Sequence, residues 1–454
     1  MLTSINPAKN KLIKTYNEME SEESAKIISL SDESFKNWKE TSFKHRSELM
    51  RNAASVLRKN SDEYSILMTV EMGKPIVQSR AEVEKCAWVC EYYSENAEKF
   101  LEDELIKTEA VKSFVSYQPL GVILAIMPWN FPFWQVFRFA VPNLTAGNAG
   151  LLKHASNVSG CALAIEDVFR KAGFPDNLFR TLLVTSKNVK EIISNQKVKA
   201  VTITGSVPAG KSVASLAGSL IKKTVLELGG SDPYIILEDA DLEKAAMSCV
   251  TSRLINAGQS CIAAKRFIIV ESVYNQFEKL FLEIMSKKKM GDPLNELNDL
   301  GPQASIQLRD ELHDQVLRSV KQGAELILGG TIPEMDGAYY PPTILTNVKP
   351  GMSAFDEELF GPVAALIKAK DEDEAIKLAN KSIFGIGAAV FTKDLKRGEQ
   401  IAKEKLNAGC CFVNDFVKSD PRLPFGGIKE SGYGRELSFL GIKEFVNIKT
   451  VYVK

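Results

Sequence analysis

Between residues 122 and 204 the chain alternates short apolar runs with stretches of helical spacing. The runs are Val122-Ile123-Leu124-Ala125-Ile126, Gly150-Leu151-Leu152-Lys153, Thr181-Leu182-Leu183-Val184 and Ala200-Val201-Thr202-Ile203-Thr204, and Cys161 to Lys171 is one of the helical intervals. Strands linked in this way lie parallel, so the pattern predicts an α/β unit with helices on both faces of one sheet. It restarts after Gly229-Gly230 with Pro233-Tyr234-Ile235-Ile236-Leu237, a helix from Ala240, Phe267-Ile268-Ile269-Val270, a helix from Val273 to Lys289, and Ala364-Ala365-Leu366-Ile367. A second α/β unit is expected there. Ahead of both, from about Asp32 to Leu105, Phe35, Trp38, Leu49, Leu57, Tyr64 and Tyr93 fall at three-to-four spacing among charges and predict helices. Val111 to Gln118 alternates apolar and polar residues up to a turn at Pro119-Leu120-Gly121, a hairpin arm leading into the first buried strand. Asn447 to Lys454 reads as an exposed strand whose open edge needs a partner, such as the arm of a neighbouring subunit.

The chain has 454 residues, enough for about two or three domains. No apolar run approaches the roughly 20 residues of a spanning helix. The start, Met1-Leu2-Thr3-Ser4-Ile5-Asn6-Pro7, lacks the pattern of an export signal, so the expected compartment is the cytoplasm. Lys+Arg and Asp+Glu both total 57 and are interspersed, which leaves no basic footprint for nucleic acid. Seven cysteines without paired CxxC spacing point to neither a disulfide framework nor a zinc site.

Chemistry enters with Asn256-Ala257-Gly258-Gln259-Ser260-Cys261 and, upstream, Glu227-Leu228-Gly229-Gly230. A thiol and a carboxylate in such turns suit covalent attack on a carbonyl with a glutamate as base, since His45, His154 and His313 all lie far from Cys261 in sequence. Cys86, Cys90, Cys161 and Cys249 fall in apolar helical patterns, and Cys410 and Cys411 in an apolar strand, where thiols pack and stay inert. A rival motif is Gly205-Ser206-Val207-Pro208-Ala209-Gly210-Lys211-Ser212, which fits the phosphate loop of nucleoside triphosphatases, with Ile235 to Asp239 in the place of the magnesium-holding strand. That reading leaves Cys261, Glu227 and Asn130 without a task, whereas a glycine-containing strand-to-helix turn also suits a dinucleotide pyrophosphate.

Taken together, Pro128-Trp129-Asn130-Phe131-Pro132, Lys153, Gly205-Ser206 with Gly210, Glu227-Leu228-Gly229-Gly230, Gly258-Gln259-Ser260-Cys261, Glu358-Leu359-Phe360-Gly361-Pro362 and Pro424-Phe425-Gly426-Gly427 resemble the aldehyde dehydrogenase superfamily, in its order and over nearly the whole chain. Met127 to Arg138 and Lys153-His154-Ala155-Ser156 are most similar to its succinate-semialdehyde dehydrogenases. The resemblance implies a Rossmann-like cofactor domain (1–110 and 126–227), an α/β catalytic domain (228–424), a small β oligomerisation arm (111–125 and 445–454) and a return segment (425–444) in a homodimer or homotetramer. It implies Cys261 as nucleophile, Asn130 as oxyanion donor and Glu227 as the base for thioester hydrolysis. Lys153, Trp129, Gly205, Ser206 and Gly210 would meet the adenosine and pyrophosphate, and Glu358 and Phe360 the nicotinamide end. The family's NAD-using members carry a glutamate three residues after that lysine, where this chain has Ser156, so NADP is expected to serve at least as well as NAD. Arg138, Ser419 and Phe425 fall on the aldehyde pocket, with Arg138 expected to clamp the far carboxylate of a semialdehyde. Two departures stand out: Ile255 occupies the place of a second arginine found in some relatives, and Ala263 that of a redox-switch cysteine.

Overall fold

The computed structural model describes residues 1–454 and sorts the apolar runs into two large sheets. Six strands form the first, in the spatial order Gly432–Tyr433, Lys223–Glu227, Val198–Thr204, Val122–Met127, Ala149–His154, Phe179–Thr181. All neighbours are parallel except Gly432–Tyr433, which returns antiparallel. From Val122–Met127 the chain builds outward on one side and then, beginning with Val198–Thr204, on the other. The loops leaving these two central strands therefore diverge and open a crevice at their carboxyl ends, the place where such sheets hold ligands. Val122, Ile123, Leu124 and Ala125 are all buried, as expected for a strand covered on both faces.

The second sheet runs Glu325–Leu328, Thr343–Thr346, Val363–Ala369, Arg266–Val270, Pro233–Ile236, Gly387–Phe391, Cys410–Val413, parallel except for its first pair. Side chains alternate across it: Ile235 and Ile268 enter one core, while Tyr234, Ile236, Phe267 and Ile269 enter another on the opposite face. Each such fully buried side chain contributes about 1.5–3 kcal/mol relative to exposure. The sheets meet end to end, because Glu227 closes a strand of the first, Gly229-Gly230 cross over, and Pro233 opens a strand of the second. Cys261 and Glu358 likewise precede strands of the second sheet, so both stand at the amino ends that meet the crevice.

Helices Ser21–Trp38, Phe43–Lys59, Ser61–Met72 and Ile76–Phe100 cover residues expected to be helical and begin earlier than the spacing indicated. In Ile76–Phe100 the buried residues Val83, Cys86, Ala87, Cys90, Tyr93 and Ala97 recur at three or four, which seats one face on the first core. Three elements differ from the sequence reading. A hairpin of Leu2–Asn6 and Lys11–Tyr16 precedes the helices; its second strand is exposed over Lys11 to Thr15 and lacks an apolar alternation to announce it. The strand expected over Thr181 to Val184 ends at Thr181, where the edge of the sheet gives way to a turn closed by Val184 N–H on Leu182 O (2.9 Å). Val446–Val453 finds its partner inside the chain, pairing antiparallel with Lys112–Pro119 along its whole length. Its other edge is free and carries exposed Ile448 and Tyr452. No helix is long and apolar enough to cross a membrane.

Candidate active site

The helix Leu242–Leu254 ends in an unusual turn. Asn256 (φ 54°) and Ala257 (φ 52°) both take left-handed backbone, followed by Gly258 (φ 78°), where a Cβ would lie 2.2 Å from the Gly361 carbonyl carbon. Asn256 Nδ2 ties the turn by donating to Asn130 O (2.7 Å) and Gln259 O (3.2 Å), and Arg253 Nη2 donates to Gly258 O (2.6 Å). The turn delivers Cys261, half-buried, to a cavity of about 250 Å³ walled by Phe131, Trp134, Ile262, Val417 and Phe425. Burial pushes the Cys261 thiol up to about 12, and the cations Lys265 and Arg138 oppose that shift. Lys265, absent from the sequence reading, sits beneath Cys261: its Nζ donates to Ser260 O (2.8 Å) and Cys261 O (2.7 Å) and lies 3.4 Å from Glu358 Oε1. Two of these acceptors are local to Lys265, but its approach to Glu358 joins residues remote in sequence, and spacing carries no signal of that contact.

Asn130 follows the central strand Val122–Met127, and its Nδ2 donates to Gln259 O (3.1 Å), two residues before Cys261. Its Oδ1 accepts from Gln135 Nε2 (3.1 Å), and because Nδ2 donates only the one bond, its second amide hydrogen remains free. Glu227 is buried, and neither carboxylate oxygen has a hydrogen-bond partner. Burial, then the neighbouring Glu436, holds its carboxyl well above the usual carboxylate range against the pull of Arg138 and Arg435. Glycines make this crowding feasible: a Cβ at Gly426 would lie 2.6 Å from Glu227 Oε1, and one at Gly230 would lie 2.6 Å from Cys261 O. The turn after Glu227 is thus packed directly on the backbone of Cys261.

Arg138, on the helix Trp134–Thr145, lines the cavity with its guanidinium over the Phe425 ring (4.6 Å). It is not the free clamp expected from sequence. Its Nε pairs with the buried carboxylate of Glu436, whose backbone is bridged to Phe425 by bonds of 2.8 and 2.7 Å; Nη2 is buried without a hydrogen-bond partner. Glu436 lies 298 residues beyond Arg138 by their positions, out of reach of any local pattern. The helix itself is capped by Glu82, whose Oε1 accepts from Phe133 N and Trp134 N (both 2.9 Å) while its other oxygen pairs with buried Lys74. Ser419 Oγ accepts from Trp134 Nε1 (3.0 Å) and from Lys85 Nζ (2.9 Å). Lys85 went unnoticed in the sequence, although Gln78, Ala81, Glu82 and Lys85 fall at helical spacing and all line the cavity.

On the other side of the nucleophile turn, Trp129 meets Phe360 edge to face (5.8 Å). Glu358 Oε1 accepts from Gly230 N–H (2.9 Å), and a Cβ at Gly229 would lie 2.5 Å from its Oε2. Ser206 is exposed and caps the helix Val207–Ser219, its Oγ accepting from Ala209 N (3.4 Å). Only Gly205-Ser206 separates that helix from the strand Val198–Thr204, so Gly210, Lys211 and Ser212 lie inside the helix and no loop exists to wrap a triphosphate. Lys211 instead pairs with Glu430 (3.0 Å), which removes the phosphate-loop reading. Gly210 is also reassigned: it is buried, and a Cβ there would meet Leu228 at 2.4 Å, so it serves helix-to-strand packing and not ligand contact. Lys153 closes the strand Ala149–His154 half-buried, and Ser156 opens the short turn Ser156–Val158. A lysine, two serines and a helix amino terminus, all at or just beyond the carboxyl ends of the first sheet's strands, fit phosphate, while Glu358 and Phe360 fit a ribose and ring.

Residues 1–451 match the aldehyde dehydrogenase family. A probable NADP(+) succinate-semialdehyde dehydrogenase of Synechocystis sp. is 48% identical over 452 residues, covering 100% of this chain and 99% of its own length. The NAD(P)+ succinate semialdehyde dehydrogenase Sad of Escherichia coli is 48% identical over 449 residues, covering 99% and 97%. Among solved structures, the succinic semialdehyde dehydrogenase of Streptococcus pyogenes in complex with NADP+ superposes with a TM-score of 0.98 at 36% identity, covering 100% of both chains. With the nucleophile turn, the paired sheets and these likenesses in agreement, the chain belongs to the aldehyde dehydrogenase family.

Proposed function

We propose that this enzyme oxidises succinate semialdehyde to succinate with NADP or NAD as oxidant. The observation that carries this reading is the cavity at Cys261: apolar walls for a short carbon chain, and polar groups, Ser419 and Arg138 Nη2, for a carboxylate at its far end. Cys261 gives up its thiol proton to solvent, an ionisation that the neighbouring cations Lys265 and Arg138 favour, and attacks the aldehyde carbon as the thiolate, while the free amide hydrogen of Asn130 with the Cys261 N–H holds the oxyanion. The nicotinamide, when bound, supplies the hydride acceptor. Glu227, with its raised affinity for protons, then takes a proton from the water that hydrolyses the thioester. Lys153, Ser156 and Ser206 hold the phosphate-bearing end of the cofactor, Trp129 and Gly205 line its path, and Glu358 leaves Gly230 to bind the nicotinamide ribose.

The boundaries that support this division of labour are a cofactor domain over 1–110 and 126–227, a catalytic domain over 228–424, an arm over 111–125 and 445–454, and a return segment over 425–444. The free edge of the arm is the proposed contact with another copy, and the cytoplasm, with its dinucleotide pool, the proposed compartment. The test is absorbance at the reduced-nicotinamide band with succinate semialdehyde, glutarate semialdehyde and butanal under both cofactors. Preference for succinate semialdehyde is expected; equal or better turnover of butanal would reject the substrate.

A further inference from the structure

The charges around the cavity do not balance. Arg138 is answered by Glu436, Lys74 by Glu82, and Lys418, at the mouth, by Asp415 (2.6 Å). Lys85 has no carboxylate partner. Its Nζ rests on Ser419 Oγ (2.9 Å) and over the face of Trp134 (4.3 Å), inside the same cavity as Cys261. An ammonium held in an apolar recess without a counter-ion is costly unless an anion arrives. Ser419 is set for the same visitor: its oxygen already accepts from Lys85 and Trp134, so its own O–H is left to donate outward.

We infer that Lys85 is the residue that selects for a carboxylate on the aldehyde, forming with Ser419 a seat in which the ammonium neutralises the substrate's far carboxylate and the serine hydroxyl hydrogen-bonds to it. The inference rests on the proposed semialdehyde activity and names its determinant. Arg138, neutralised by Glu436, then shapes the wall and adds at most one donor. Burial brings the Lys85 amine to about 8, with Arg138 adding to the shift and Cys86, Glu82 and Asp420 opposing it. A lysine lowered in this way is charged below that pH and loses its charge above it. Affinity for an aldehyde acid is therefore fully present below about pH 8 and lost as pH rises through it, whereas butanal has no carboxylate to lose.

The test compares kcat/KM for succinate semialdehyde and for butanal in wild type, Lys85→Met and Lys85→Arg, each across pH 6.5–9.5. Lys85→Met is expected to lower the ratio of the two about 10- to 100-fold, through KM and not kcat, the range for losing a hydrogen bond to a charged group. Lys85→Arg, which stays charged, should hold the ratio and abolish the rise in KM above pH 8. A ratio unmoved in Lys85→Met overturns the inference. Should that variant fail to fold and lose both substrates, the arginine variant decides: a KM rise that persists in it places the titrating group elsewhere. Wild-type enzyme that oxidises butanal but not succinate semialdehyde would overturn the proposed activity itself, and the selector with it, whereas a failure of the ratio alone leaves that activity standing.

Discussion

Around Cys261, ionisable groups are buried and most are answered by others: Arg138 by Glu436, Lys74 by Glu82, Lys265 by Glu358 and two carbonyls. Along the groove at Lys153, Ser156 and Ser206 the polar groups are half-buried or exposed, and each stands on a different element end. In the first region low dielectric makes every charge depend on its neighbours, so a substitution spreads. In the second, the groups stand on separate elements without charged partners, so a substitution stays local even though burial lowers the Lys153 amine from its usual range. On the proposed assignments, catalysis is thereby lodged among mutually dependent groups, and cofactor preference among independent ones.

The largest test of this contrast is Cys261→Ala. It should lower aldehyde oxidation by a factor on the order of 10⁶, the scale for losing a covalent nucleophile, while equilibrium binding of the dinucleotide stays near normal. Activity within tenfold of wild type would break the division between cavity and groove. Glu227→Gln comes next, with a slowing of about 10²- to 10⁴-fold at deacylation, visible as a pre-steady-state burst of reduced cofactor. Because the working base is the ionised form of a group held well above the usual carboxylate range, wild-type turnover should rise with pH through that raised value. The glutamine variant should lack this limb, and a limb retained would move the base elsewhere.

Arg138→Leu probes the mutual dependence itself. It leaves Glu436 buried and unpaired beside Glu227, which should cost about 3–5 kcal/mol in thermal unfolding and weaken butanal as well as succinate semialdehyde, the latter more because it also loses the Nη2 donor. Arg138→Leu with Glu436→Leu should recover part of that stability; a double variant as unstable as the sum of the singles would show that the pair is not the cause. The smallest effect belongs to the groove. Ser156→Glu should shift preference from NADP toward NAD by about tenfold, or 1.4 kcal/mol, without a change in melting temperature. A ratio that does not move would place the discriminating contacts elsewhere.

What could be read in advance follows the same divide. Parallel strands, helical faces and the glycine-framed turns at Glu227 and Cys261 are written in neighbouring residues, and periodicity or turn chemistry exposes them. Arg138 was legible as an arginine on the pocket wall, but its meaning changes with Glu436, which a distant stretch of the chain brings against it. Lys85 escaped notice because a lysine among charged helical residues looks solvated until the helix Ile76–Phe100 is laid against Trp134. Gly210 looked like part of a ligand loop because a motif counts residues and cannot see that the helix has already begun.

Asn256 and Ala257 leave one more consequence. Asparagine tolerates the left-handed region, but alanine does so at a cost of about 1–2 kcal/mol, offset here by the bonds from Asn256 and Arg253 that clamp the turn. A glycine at position 257 would relieve that cost but give the turn more backbone freedom, leaving the bonds from Asn256 and Arg253 to hold it alone. The chain therefore surrenders some heat tolerance to keep one sulfur atom in place, and a search for hardier variants would do better to begin in the outer helices than at this bend.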